Sequence, residues 1–232
     1  MNRRAVLQLA YWVVTAASFV GAALLVAFAT PNERTMGVVQ KIFYLHLPAA
    51  INTFLACGLV FIASAGYLWQ RKTWWDDLAA ASAKVAVLLC SIVLLTGMIW
   101  GRSAWGTWWT WSPRLTFSLV LWLLYVVYLM VRASIESEQR RAVVSAVYGI
   151  VAFLDVPLVY LSAKLLEDIH PSSITLDGSM QLALAAWFLP VTLAAGGLIA
   201  ARYALNRAQR QRSGSAAPEP RGFPVRLVGD AI

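Results

Sequence analysis

An all-α integral membrane protein with six transmembrane helices and both termini in the cytoplasm is the fold class this sequence predicts, on three observations. The composition is 60% hydrophobic and only 13% charged, whereas a soluble domain is nearer one half apolar and one quarter charged. The apolar residues fall into six runs, each long enough for a helix of roughly 20 residues to cross a bilayer. The basic residues are shared unequally between alternate loops, as the positive-inside rule requires of a multi-pass chain.

The runs are taken in order. The first, 11–29, is followed by Pro31, Asn32, Glu33 and Arg34; no small-residue cleavage site ends it, so it reads as a retained span rather than a signal peptide. The second and third cover 48–69 and 78–99. The fourth, 116–131, is short, but Arg114 and Arg132 can extend from its ends to the interfaces. The fifth, 143–163, contains Asp155 and Pro157. Pro157 frees a carbonyl and predicts a kink. Asp155 inside a span is a functional candidate, or a structural group paired with Lys84 or facing a wet crevice. The sixth, 182–203, holds Pro190, Gly196 and Gly197, which permit close helix packing. The division is a six-helix domain over 1–212 and a tail over 213–232, whose Ser, Ala, Pro and Gly content predicts a mobile cytoplasmic extension.

Of the nineteen Lys and Arg residues, fourteen lie before span one, in or near the loop between spans two and three (Lys84 included), after span four, or from Arg202 at the end of span six onward; Arg34, Lys41, Arg102, Arg114 and Lys164 lie on the other side. These are topology signals rather than a nucleic-acid surface. They put the loops after spans one, three and five on the outer face.

One of those outer loops is exceptional. The stretch 100–116 reads WGRSAWGTWWTWSPRLT and holds Trp100, Trp105, Trp108, Trp109 and Trp111, five of the eleven tryptophans. If 105–112 is helical, Trp105, Trp108 and Trp109 share a face and form an aromatic plate. Arg114 adds a fixed positive charge at its edge. A plate beside a guanidinium suits a flat apolar ligand with acidic edges, such as haem. A membrane-interface aromatic belt is the alternative. The only two histidines, His46 and His170, fall on the same outer side, flanking the loop in sequence. They suit the two axial positions of a haem iron, or they simply finish helix ends. Lys41 and Arg102 join Arg114 as cations for ligand carboxylates or for fixing the loop, with lipid phosphate as the alternative for Lys41 and Arg102. Glu167 and Asp168 read as a solvated loop, one of them a possible orienter of the His170 ring.

Other chemistry is excluded. Cys57 and Cys90 are not in C-x-x-C spacing, and no C-x-x-C-H occurs, so haem cannot be attached covalently through thioethers. No phosphate-binding G-x-x-x-x-G-K loop is present. No further donors join the histidines at zinc-site spacing.

The segment WGTWWTWSPRLT resembles the tryptophan-rich "WWD" signature, W-G-x-W-W-x-W-D-x-R-L-T, of the CcmC/CcmF/CcsA haem-handling family of cytochrome c maturation. It keeps Trp105, Gly106, Trp108, Trp109, Trp111, Arg114, Leu115 and Thr116. FYLHLPAA around His46 and PLVYLSAKLLEDIHP leading into His170 are similar to the family's two histidine motifs. Chain length and six spans fit the CcmC type, haem exporter protein C; CcmF and CcsA are much larger. The resemblance covers about 31–203. It departs at Ser112, where the family carries aspartate, and the literal Trp74-Trp75-Asp76 lies in a different, cytoplasmic loop and reads as interfacial belt.

The resemblance implies a bacterial inner-membrane protein, not an enzyme, that binds haem b transiently and non-covalently at its periplasmic face. The ligands would be His46 and His170, beneath the tryptophan loop. It further implies transfer to the haem chaperone CcmE, and the partners CcmA and CcmB of an ABC transporter and small CcmD. A haem-containing quinone oxidoreductase would place histidines inside spans, and a permease for another substrate would need neither histidine pair nor plate. Both stand as alternatives.

Overall fold

The computed structural model describes residues 3–34, 36–170 and 176–215; of the expected tail, 216–232 lies outside the described residues, and helix α7 runs through Ser215. The described residues are helical apart from short connections. Helix α1 spans Arg3–Leu24 and ends in a π turn, Leu25–Ala29. A 3₁₀ turn, Val38–Ile42, leads into α2, Phe43–Gln70. Helices α3, Thr73–Trp105, and α4, Pro113–Ser134, follow. The fifth run is two helices, α5, Glu138–Phe153, and α6, Asp155–Leu165; α7 covers Gly178–Ser215. Six stretches are long and apolar enough to cross a membrane, in the expected order.

The break between α5 and α6 has a local cause. Pro157 has no N–H to give the carbonyl of Phe153, and its ring crowds that carbonyl, so the helix is interrupted at Leu154. Asp155, at the first position of α6, is 6% exposed, and its Oδ2 has no hydrogen-bond partner. Among the described residues no ion pair joins it to Lys84, which instead lines a cleft with Arg132 and Arg210.

The bundle is built on α2 and α3, its most extensive helix pair. Ala56, Cys57, Val60 and Ala63 of α2 meet Ala79, Ala83 and Ala86 of α3, and these small side chains let the backbones approach. Tyr125 and Tyr128 of α4 close the same core. Helix α1 is attached through α7: the Tyr11 hydroxyl donates to the Leu193 carbonyl (2.5 Å). A Cβ at Gly197 would lie 2.6 Å from the Tyr11 ring, which is why that position carries none.

The Trp74-Trp75-Asp76 segment is more than a belt. The two indoles stack at 3.7 Å, and Asp76 is 3% exposed. Arg132 grips it with two bonds, 2.5 and 2.9 Å. Arg210 bridges Asp76, Asp77 and Glu138 at 3.1, 2.9 and 2.9 Å. Four helices are thus tied at one end of the bundle. The functional candidates gather at the other end of α3, about 45 Å of helix away.

Candidate functional site

The tryptophan stretch is divided by a helix end. Helix α3 continues through Trp105 and stops at Gly106, whose φ of +76° is the left-handed cap that glycine adopts without strain. The expected helix over 105–112 does not form: residues 106–112 are bends and irregular backbone. The reason is at both ends of the segment. Gly106 terminates one helix, and Pro113 occupies the first turn of α4, where a missing N–H is harmless. Trp100 and Trp105 therefore project from a helix, their rings edge to face at 5.2 Å. Trp109 follows from the loop. Trp108 and Trp111 are 57% and 75% exposed.

A cavity of about 430 Å³ lies beneath them, within the roughly 300–1,000 Å³ of ligand-holding clefts. His46, His170, Trp100, Trp105, Trp109 and Arg114 all line it, with a predominantly aliphatic remainder. The indole N–H groups of Trp100 and Trp109 are buried and meet no acceptor. Trp108, Trp111, Lys41 and Arg102 do not line it. Lys41 instead donates to the Val26 carbonyl (2.9 Å), closing the π turn that ends α1. Arg102 donates to the Gly106 carbonyl and fastens the loop's first bend.

His46 stands one turn into α2, facing α3 at Gly97, where a Cβ would lie 3.3 Å from its Cε1. Its Nδ1 is 2.8 Å from the Thr96 hydroxyl, which itself donates to the Ile92 carbonyl at 2.6 Å. A hydroxyl has one proton to give. With that proton on Ile92, Nδ1 of His46 is the donor and Nε2 keeps its lone pair. A hydrogen bond on one imidazole nitrogen fixes the tautomer at the other, as metal-ligating histidines require.

His170 arrives from the connection after α6, its ring centroid 6.5 Å from Trp100 and 6.4 Å from Trp105. Its Nδ1 is 3.0 Å from Arg114 Nη1. Glu167 is exposed, as expected of a solvated loop, but Asp168 is half-buried and bonded. The Asp168 carboxylate accepts the backbone N–H of Arg114 (2.6 Å) and that of His170 (2.8 Å). It fills a vacancy at α4, whose cap residue Ser112 makes no side-chain capping bond. Burial pushes the Asp168 carboxyl up, but its hydrogen bonds, those from the backbone N–H groups of His170 and Arg114 foremost, together with the nearby His170 ring hold the group below the usual carboxylate range. Asp168 thus orients His170 through its backbone, not its ring.

Sequence reasoning missed Thr96, Gly97 and Tyr160, which also lines the cavity and accepts a bond from Lys164 Nζ (2.7 Å). Thr96 carried one legible signal, a polar residue one helical turn before Trp100. Among the described residues no group of three or more His, Cys, Asp or Glu gathers to hold a bare metal ion. The donors suit a large apolar ligand: two imidazoles, a guanidinium and two unsatisfied indole N–H groups around an aliphatic void.

The family model described as CcmC, heme exporter protein C, matches residues 2–216. The chain is 32% identical over 153 residues to the heme exporter protein C of Bradyrhizobium diazoefficiens, covering 66% of this chain and 58% of that protein. It is 31% identical over 172 residues to that of Rhodobacter capsulatus, covering 73% and 71%. To that of Escherichia coli K12 it is 30% identical over 156 residues, covering 66% and 63%. The chain thus spans about three fifths of the length of the first and last of these relatives. With a family match running nearly end to end over six apolar helices, the chain belongs to the heme exporter protein C family.

Proposed function

We propose that this protein holds haem b, non-covalently and in transit, between His46 and His170 under Trp100, Trp105 and Trp109, and hands it to the haem chaperone CcmE. One observation carries the reading: both of the chain's histidines line a single apolar cavity together with three tryptophans and one guanidinium. The flat porphyrin would lie against the indoles, and imidazole nitrogens would occupy the iron's two axial positions. Arg114 and the Trp100 and Trp109 N–H groups are the donors for the propionates. Arg102 and Lys41 act at a distance, by fixing the loop and the end of α1. No bond of the cargo is broken, so the role is handling, not catalysis.

The charge asymmetry of the loops supports an orientation with both termini in the cytoplasm and the cavity at the periplasmic face of a bacterial inner membrane. The family relationship supports work beside the ABC subunits CcmA and CcmB and small CcmD. The exposed Trp108 and Trp111 are free to meet the chaperone at the cavity mouth.

The test is the absorption spectrum of detergent-purified protein produced under haem supply. A low-spin, bis-histidine spectrum is expected, turning high-spin or vanishing in His46→Ala and in His170→Ala. Absence of any haem band in the unaltered protein, with its partners co-produced, would overturn the assignment.

A further inference from the structure

The two histidines are held differently, and the difference sets an order of events. At His46, Thr96 accepts a hydrogen bond from Nδ1–H, leaving the Nε2 lone pair available. At His170 the neighbour is Arg114, and a guanidinium has donors only. The 3.0 Å contact therefore makes Nδ1 of His170 the acceptor, so in the neutral ring the proton resides on Nε2. His46 is prepared as a ligand. His170 is not: one nitrogen has its lone pair on Arg114 and the other carries the hydrogen.

Resting on the reading that both histidines bind the iron, we infer that they do so in sequence. His46 takes the iron first, and Arg114 is the latch that withholds His170 until a carboxylate of the ligand draws the guanidinium away. A carboxylate is the stronger partner for Arg114, since a charge-assisted, two-pronged bond replaces a bond to a neutral imidazole. Once Arg114 has left, Nδ1 can bond the iron directly. Alternatively, it gains a proton as Nε2 loses one, and Nε2 then binds. Neither route changes the net protonation of the ring. The geometry is set for this exchange. Asp168 joins the backbone of Arg114 to that of His170, so the loop stays docked while the guanidinium swings. Run backwards, the same exchange gives a release step: recapture of His170 by Arg114 would return the iron to a single protein ligand.

Two measurements test it. The first uses haem-free protein labelled with ¹⁵N-histidine, whose two rings are assigned with His170→Ala. The expected result is opposite tautomers, Nδ1–H at His46 and Nε2–H at His170, and conversion of His170 to a mixture in Arg114→Gln. The same tautomer at both rings overturns the latch. The second compares haem with haem dimethyl ester, which has no carboxylates. In the unaltered protein haem should give a low-spin spectrum and the ester a high-spin one; in Arg114→Gln the ester should turn low-spin. A low-spin ester complex in the unaltered protein overturns the latch. A low-spin haem complex surviving in His170→Ala overturns instead the ligand assignment beneath it. If the ester does not enter the cavity, the tautomers alone decide.

Discussion

The two ends of α3 carry polar groups used in opposite ways. At Asp76 the charges are closed on one another: the carboxylate is buried and takes two bonds from Arg132 and a third from Arg210, which also holds Asp77 and Glu138. At Trp105 the polar groups surround a void. Two indole N–H groups have no acceptor, and His46 presents an unprotonated Nε2. Paired charges fix helices, whereas donors left unpaired around a cavity can meet the acceptors of a ligand. Buried polar groups alone do not distinguish structure from function; what they are bonded to does.

The sharpest way to break the comparison is at the closed end. Arg132→Ala leaves Asp76 buried with half its partners and should cost about 3–5 kcal/mol of stability, read by denaturation in detergent. The haem spectrum of the protein that remains folded should be unchanged; loss of haem binding with intact folding would mean that the ends are not independent. Arg210→Ala keeps Asp76 held by Arg132 but strips the buried Asp77 carboxylate of its ion pair, and should cost about 3 kcal/mol.

At the open end the order reverses. Trp109→Ala removes part of the cavity wall, and burial of a large apolar side chain is worth about 1.5–3 kcal/mol, so haem titration should show a roughly 10–100-fold loss of affinity. Trp111→Ala should change it by less than about threefold, since that ring lies outside the cavity. Equal losses would mean that the plate is the whole sequence cluster and not the three cavity residues.

Asp168→Asn weakens the side-chain cap that Asp168 places on the start of α4, a loss of about 1 kcal/mol. It should raise the high-spin fraction of bound haem by loosening His170. Lys41→Met should also cost about 1 kcal/mol, through the Val26 carbonyl it leaves bare, and leave haem affinity unaltered.

The six spans were legible because each helix must bury a backbone in hydrocarbon with a long apolar run, a requirement that one stretch of sequence states by itself. Their ends were not. Hydropathy stops near Ile99, whereas α3 continues to Trp105 because an amphipathic turn still pays no penalty at an interface. The break in the fifth run was readable at Pro157, whose ring forbids the bond wherever the helix sits. Asp76 escaped notice beside two tryptophans, since its partners are 56 and 134 residues away. The capping role of Asp168 escaped for the same reason, since it lies 54 residues from Arg114 in the helix it caps.

By itself the sequence determined the membrane class, the number and order of the spans, and the residue types available for a haem-like ligand: two histidines, a tryptophan cluster and Arg114. Those are properties of composition and local periodicity. The tertiary structure decided which tryptophans face the cavity, which cations bond the backbone, and which neighbour each histidine meets. The first depends on where a helix ends and a loop turns, and the others on hydrogen bonds between distant segments. No local pattern encodes the proton of an imidazole; the neighbour that folding places beside it does.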